Sequence, residues 1–167
     1  MTGRKIVAHP LTREAFAPFG AVIDKEGGES YPINGGKARR FHARAKTDVL
    51  DGAVVLNIFE GAPYLFPLKL ELVERHPHGS QAFMPLTPAP FLVVVAEDTP
   101  DGPGEPRAFV THSGQGVSYN RNTWHGVLMP IEEVQDFLVV DYGGDQKNLE
   151  EFRFEQPWEI HLPGMTV

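Results

Sequence analysis

Within eight residues, the segment Glu74-Arg75-His76-Pro77-His78-Gly79-Ser80-Gln81 carries a carboxylate, two imidazoles, a guanidinium and an amide. His76 and His78 are two apart, so on a strand both rings project from one face. Gln81 follows three residues later, and His125 falls on a later apolar run. A His-x-His pair joined by a distant third histidine is a spacing that barrels use for divalent metals, and neutral imidazole suits zinc, nickel, iron or copper. His76, His78, Gln81 and His125 are therefore candidate metal ligands. The competing reading has His76 bonded in a polar cleft, His78 in a loop and His125 as a satisfied core residue. Pro77 supports that alternative, because it removes a ladder donor and can re-aim a neighbouring side chain.

Glu74 and His76 share a strand face if the strand is regular, with Arg75 pointing the other way. A carboxylate beside an imidazole is an acid/base pair, and burial can move either pKa toward neutrality. Left on a rim, the same Glu74 would make only a weak salt bridge. The run Lys37-Ala38-Arg39-Arg40-Phe41-His42 is a local basic patch in an acidic chain of net charge −7. Arg40 matches a substrate carboxylate through bidentate hydrogen bonds, with His42 beside it. A solvated basic loop accounts for the patch equally well.

Other chemistries are disfavoured. The sequence has no cysteine, which removes thiolate metal sites, disulfides and a cysteine nucleophile. No glycine-rich phosphate loop stands in a strand-turn-helix context, and neither Ser80 nor Ser113 sits in a nucleophile elbow. The net negative charge argues against a nucleic-acid binder. The start lacks the apolar run of a signal peptide, and the best apolar stretch, Phe91 to Ala96, is strand-sized rather than membrane-spanning. The expectation is a cytoplasmic enzyme with no membrane or nucleic-acid partner.

Short strands must position these residues. With 167 residues, 41% hydrophobic and 22% charged, the chain fits one domain over 1–167. Seventeen glycines and 15 prolines fall between short apolar runs. Strands are expected near 54–59, 68–73, 91–97, 107–111, 117–119, 124–129 and 137–142. One short helix is expected, capped by Thr12 and running to about Ala17. Asp98 to Pro106 reads as a surface hairpin connection. The aromatic tail from Glu150, with Phe152, Phe154, Trp158 and Ile160, should pack on the barrel or on a partner subunit. The pattern is mostly β, a sandwich or barrel.

Glu74-Arg75-His76-Pro77 followed by Gly79-Ser80-Gln81-Ala82-Phe83-Met84-Pro85 resembles the signature of the ureidoglycolate lyases. Ile33-Asn34 with Arg40-Phe41-His42, Gly116-Val117-Ser118-Tyr119 leading to Trp124-His125, and Asp141-Tyr142-Gly143-Gly144 resemble that family's other blocks in the same order. The resemblance implies a cupin-type double-stranded β-helix, or jelly-roll barrel. It also implies a homodimer and a lyase releasing urea and glyoxylate from (S)-ureidoglycolate in allantoin and purine degradation. Nickel is the divalent metal it suggests, with zinc or manganese as alternatives. The general cupin pattern has a glutamate where this chain has Gln81, and the family does not always keep a histidine at the position of His78, which ranks His76 and His125 ahead of His78 as ligands.

Ureidoglycolate carries a hydroxyl, a carboxylate and a urea nitrogen on one carbon. Splitting it requires a base for the hydroxyl proton and an acid for the leaving nitrogen. On this reading Glu74, His76 and His125 are catalytic, Arg40 holds the carboxylate, and Asn57, Gln81 and Tyr119 bond the ureido group. Two alternatives stand beside it. One is another metal-dependent cupin enzyme acting on a small carboxylate, such as a dioxygenase or isomerase; the other is a non-catalytic cupin that binds a small acid.

Overall fold

The computed structural model describes residues 4–164, so the ends of the expected 1–167 domain lie outside it. Two sheets face each other and close into a mostly β jelly-roll barrel. The five-stranded sheet runs, in spatial order, through Gly20–Ile23, Gly116–Tyr119, Gln81–Pro85, Gln135–Gly143 and Ala53–Gly61. The larger sheet has eight strands, with Glu150–His161, Leu68–Arg75, Trp124–His125, Phe91–Ala96 and Arg107–Val110 adjacent in that order. Among the described residues no helix is long and apolar enough to cross a membrane.

Period-two alternation explains which side chains enter the barrel. Phe83, Val117, Tyr119, Phe137 and Val139 point inward from the smaller sheet. Phe91, Val93, Val95 and Phe109 meet them from the larger one. The second face of the Phe91–Ala96 strand is also covered, by Trp124, Met129 and Ile160, so all six of its residues are buried. That is why its sequence is a continuous apolar run rather than an alternating one.

The short helix spans Arg13–Phe16, and the Thr12 hydroxyl accepts a hydrogen bond from the Ala15 amide at 3.2 Å. Asp98–Thr99 and Gly102–Pro103 form the expected surface hairpin. The aromatic tail is a full strand, Glu150–His161, paired antiparallel with Leu68–Arg75 and parallel with Arg4–Val7.

The run expected as one strand over 124–129 is broken. Trp124–His125 and Met129–Pro130 are separate pieces, both paired with Phe91–Ala96. Gly126 lies at the break, where a Cβ would meet the Met129 methyl at 2.7 Å. The chain turns there, and this turn brings the Gly126 carbonyl back onto the ring of His125.

Candidate active site

The Leu68–Arg75 strand ends one residue before His76, as the missing amide of Pro77 requires. Glu74 is the last strand residue on the inward side, and His125 is its cross-strand partner. Arg75 points to the opposite face, where its guanidinium lies 4.3 Å from the Trp124 ring centroid and bonds Glu150 and Asp98. Although His76 lies beyond the strand, it stays on Glu74's side. Its Nε2 is 3.8 Å from the Glu74 carboxylate. The rings of His76 and His125 have centroids 5.1 Å apart.

Hydrogen bonds set the same tautomer on both rings. His76 Nδ1 lies 2.6 Å from the Asn148 carbonyl, and His125 Nδ1 lies 2.9 Å from the Gly126 carbonyl. A carbonyl only accepts, so each Nδ1 carries the proton and each Nε2 presents a lone pair. Both Nε2 atoms are buried without a hydrogen-bond partner among the described residues. One ligand atom each from Glu74, His76 and His125 all lie within 4.8 Å of one another.

Burial acts on this cluster in opposite senses. It raises the Glu74 pKa, with Glu151 adding to the rise and His76 opposing it. For His125 it favours the neutral imidazole and lowers the pKa to about 3, with His76 pushing the same way and the Gly126 carbonyl opposing. Burial also raises the Tyr119 pKa, with Glu74 adding to the effect, so the phenol stays neutral. The Tyr119 ring stacks on His125 at 4.2 Å with planes 6° apart.

Two orphaned imidazole nitrogens beside a carboxylate make a donor set suited to a divalent ion, so these residues fit a metal. The group of donor atoms that lie close together differs from the one that spacing suggested. Glu74 joins His76 and His125, while His78 is outside the group. Past the strand end, His78 no longer follows period two. Its ring lies against Tyr142, with centroids 5.9 Å apart, and its amide bonds the Asn148 side chain at 2.7 Å. Gln81 is buried on the neighbouring sheet, where its Nε2 donates to Asp141 at 3.2 Å. Asn57 donates to the other oxygen of Asp141 at 2.9 Å.

Gly79 and Ser80 hold the segment in place. A Cβ on Gly79 would meet the Cβ of Tyr142 at 2.6 Å, so only glycine allows this approach. The Ser80 hydroxyl accepts from the Asp48 amide and is structural. Arg40 and His42 are not brought to the cluster. They lie on or beside a separate hairpin, Ser30–Ile33 with Ala38–Phe41, and no hydrogen bond or ring contact links them to Glu74, His76 or His125 among the described residues. The surface cavity of about 590 Å³ bordered by Arg4, Phe152 and Trp158 is also elsewhere.

Three residues carry contacts at the site that the sequence assigned to none of them, although Asp141 stands in one of the quoted blocks. Asn148 supplies the carbonyl for His76 and the side-chain oxygen for His78, but it lies in an irregular loop with no motif of its own. Asp141 bridges two amides; its inward position on the 137–142 strand was the available signal. Arg121 bonds the Pro77 carbonyl at 3.4 Å and Asp48 at 3.0 Å.

Comparison with known proteins places the chain in a family. The family model described as Ureidoglycolate lyase matches residues 3–161. A ureidoglycolate lyase from Mesorhizobium japonicum is 61% identical over 161 residues, covering 95% of this chain and 99% of the relative. One from Chelativorans sp. is 62% identical over 162 residues, with coverage of 96% and 98%. Among solved structures, a dTDP sugar isomerase from Desulfovibrio desulfuricans G20 aligns at 17% identity with a TM-score of 0.46, covering 83% of this chain and 87% of that one. With the signature segment, the Trp124-His125 block and the full-length match in agreement, the chain belongs to the ureidoglycolate lyase family.

Proposed function

We propose that Glu74, His76 and His125 form the centre that splits (S)-ureidoglycolate into glyoxylate and urea, a late step of allantoin and purine breakdown. The observation that carries this reading is the pair of buried, unpartnered imidazole nitrogens facing a carboxylate of raised pKa. The relatives named above as ureidoglycolate lyases supply the substrate.

His76 Nε2 takes the hydroxyl proton as the carbon–oxygen double bond forms. The carbon–nitrogen bond breaks, its electron pair goes to the urea nitrogen, and the Glu74 carboxyl protonates that nitrogen. Desolvation favours the protonated carboxyl that this role needs. One proton is taken and one is given, so transfer from His76 to Glu74 across their 3.8 Å separation resets the pair. His125, with its low pKa, is not a proton donor near neutrality. Its Nε2 remains an acceptor throughout.

The same three side chains would hold a divalent ion. When bound, such an ion lowers the pKa of the substrate hydroxyl and orients it. Family resemblance favours nickel, while a donor set of two imidazoles and one carboxylate also suits zinc or manganese. Proton handling and ion binding use the same lone pairs, so an assay separates them. Urea and glyoxylate release from both enantiomers of ureidoglycolate, followed with and without a chelator, tests the reading. Equimolar release from the S enantiomer supports it. Loss of that release in chelator assigns the ion the leading part, full activity assigns it to the protein's own groups, and no release from either enantiomer under any condition overturns it.

We read the chain as one domain that works in the cytoplasm, a compartment its cysteine-free sequence suits. We also read it as a homodimer. Support comes from the Ala53–Gly61 edge strand, where Leu56 is 70% and Ile58 62% exposed. An apolar sheet edge of this kind is usually covered in the working protein.

A further inference from the structure

We propose that Asp141 is a specificity-determining residue: it locks the amides of Gln81 and Asn57 so that their carbonyl oxygens form a paired acceptor for the N–H groups of a urea-like substrate end. The inference rests on the function proposed above and assigns a role that the reaction chemistry left open.

An amide side chain carries a donor and an acceptor, and which one faces the ligand depends on what holds the other. Here the holder is a carboxylate, which only accepts. Asp141 Oδ1 takes the Asn57 Nδ2 hydrogen at 2.9 Å, and Oδ2 takes the Gln81 Nε2 hydrogen at 3.2 Å. Turning either amide over would set oxygen against oxygen, so both orientations are fixed. Gln81 is 7% exposed, and its Oε1 is buried without a partner among the described residues. A buried carbonyl oxygen in that state calls for a donor, and a urea end offers N–H groups.

The pair lies within the barrel mouth. Gln81 is the cross-strand partner of Tyr119, whose ring stacks on His125. Val139 pairs with Asn57 and precedes Asp141 by two residues, so Asn57 and Asp141 are diagonal neighbours on the inward face. Asp141 makes no ion pair among the described residues, so its charge is not cancelled by a neighbouring cation. That charge repels a carboxylate and admits the neutral ureido end, which sets the direction in which substrate enters.

Two ligands of equal heavy-atom count test this. Ureidoacetate presents the N–H groups, whereas succinate replaces them with a methylene and a carboxylate oxygen. Calorimetric titration of the intact protein should show ureidoacetate binding at least about 100-fold more tightly. Asp141→Asn frees the amides to turn, and the preference should fall by about tenfold or more. Asn57→Ala, at an exposed position that does not threaten folding, should lower it in the same direction. A purely structural role would weaken both ligands together and leave their ratio unchanged, and that result overturns the proposal. So does wild-type binding of the two ligands within about threefold. Urea release from ureidoglycolate is measured alongside. Release with no ligand preference overturns the acceptor pair alone, whereas preference without release leaves the pair standing and removes the assigned reaction.

Discussion

Tyr119 lies flat on His125, with ring centroids 4.2 Å apart and planes within 6° of parallel. The stack covers one face of the imidazole while the Gly126 carbonyl holds its Nδ1, so the free Nε2 has a single direction. Such ring pairs contribute about 0.5–1.5 kcal/mol beyond simple burial. Tyr119→Phe should keep the stack and hold kcat within about threefold of wild type, whereas Tyr119→Leu should lower it by about tenfold or more. Steady-state urea release by the two variants checks this. Equal loss in both would assign the work to the phenol hydroxyl instead.

Neutral His125 makes the metal-free protein sensitive to acid. Burial holds its pKa in the folded protein at about 3, below the ordinary imidazole value of 6.5. Below pH 6.5 the unfolded chain therefore binds a proton that the folded chain refuses. The stability from this group is fully present above that pH and is lost toward pH 3, at about 1.4 kcal/mol per pH unit. Urea denaturation across this range should show a shallower decline for His125→Gln than for wild type, both treated with chelator. Parallel declines would contradict the buried neutral imidazole.

Glu74 has the opposite sign. Its folded pKa is raised above 4.5, so the charged form costs stability as pH rises through and beyond that value. Glu74→Gln should be inactive yet more stable than wild type at neutral pH, by about 1 kcal/mol. A lower melting temperature for the metal-free variant would show that the carboxylate stabilises the fold.

Asn148 connects the loop before the last strand to the His76 segment through two different atoms. Asn148→Ala removes the side-chain bond to the His78 amide and loosens the carbonyl that fixes the His76 tautomer. The expected result is a loss of about tenfold in kcat, because a small displacement of a catalytic group is costly. Thermal melting together with the assay separates this from general destabilisation. Wild-type kcat would mean that the loop does not position His76.

Arg40→Ala should change KM for ureidoglycolate by less than about twofold, because no hydrogen bond or ring contact joins its hairpin to the cluster among the described residues. A rise of about tenfold or more in KM, with kcat retained, would restore Arg40 as the carboxylate holder.

The strand pattern and the capped helix were legible because they depend on local periodicity and on one hydroxyl. The adjacency of Glu74 and His76 was legible for the same reason, since they are two apart at a strand end. The status of His78 was not, because Pro77 stops the strand and period two fails one residue later. Nor was the break at Gly126, where packing against Met129 overrides a β-rich run. Asn148 and Asp141 act across 70 and 60 residues of chain or more, and only the closed barrel brings those contacts into being. Arg40 stood out because clustered charge is visible in sequence, whereas the hairpin that carries it, Ser30–Ile33 with Ala38–Phe41, depends on pairing that the sequence does not show.

In the proposed reaction His76, beside Glu74 and His125, carries the cleavage of the carbon–nitrogen bond. Urea and glyoxylate released from (S)-ureidoglycolate, measured together for wild type and His76→Ala, test it most directly. Equimolar products from wild type and a fall of at least about 1000-fold in kcat/KM for the variant are predicted, as for loss of a principal acid/base group. Turnover near the wild-type rate by a folded His76→Ala protein would contradict it.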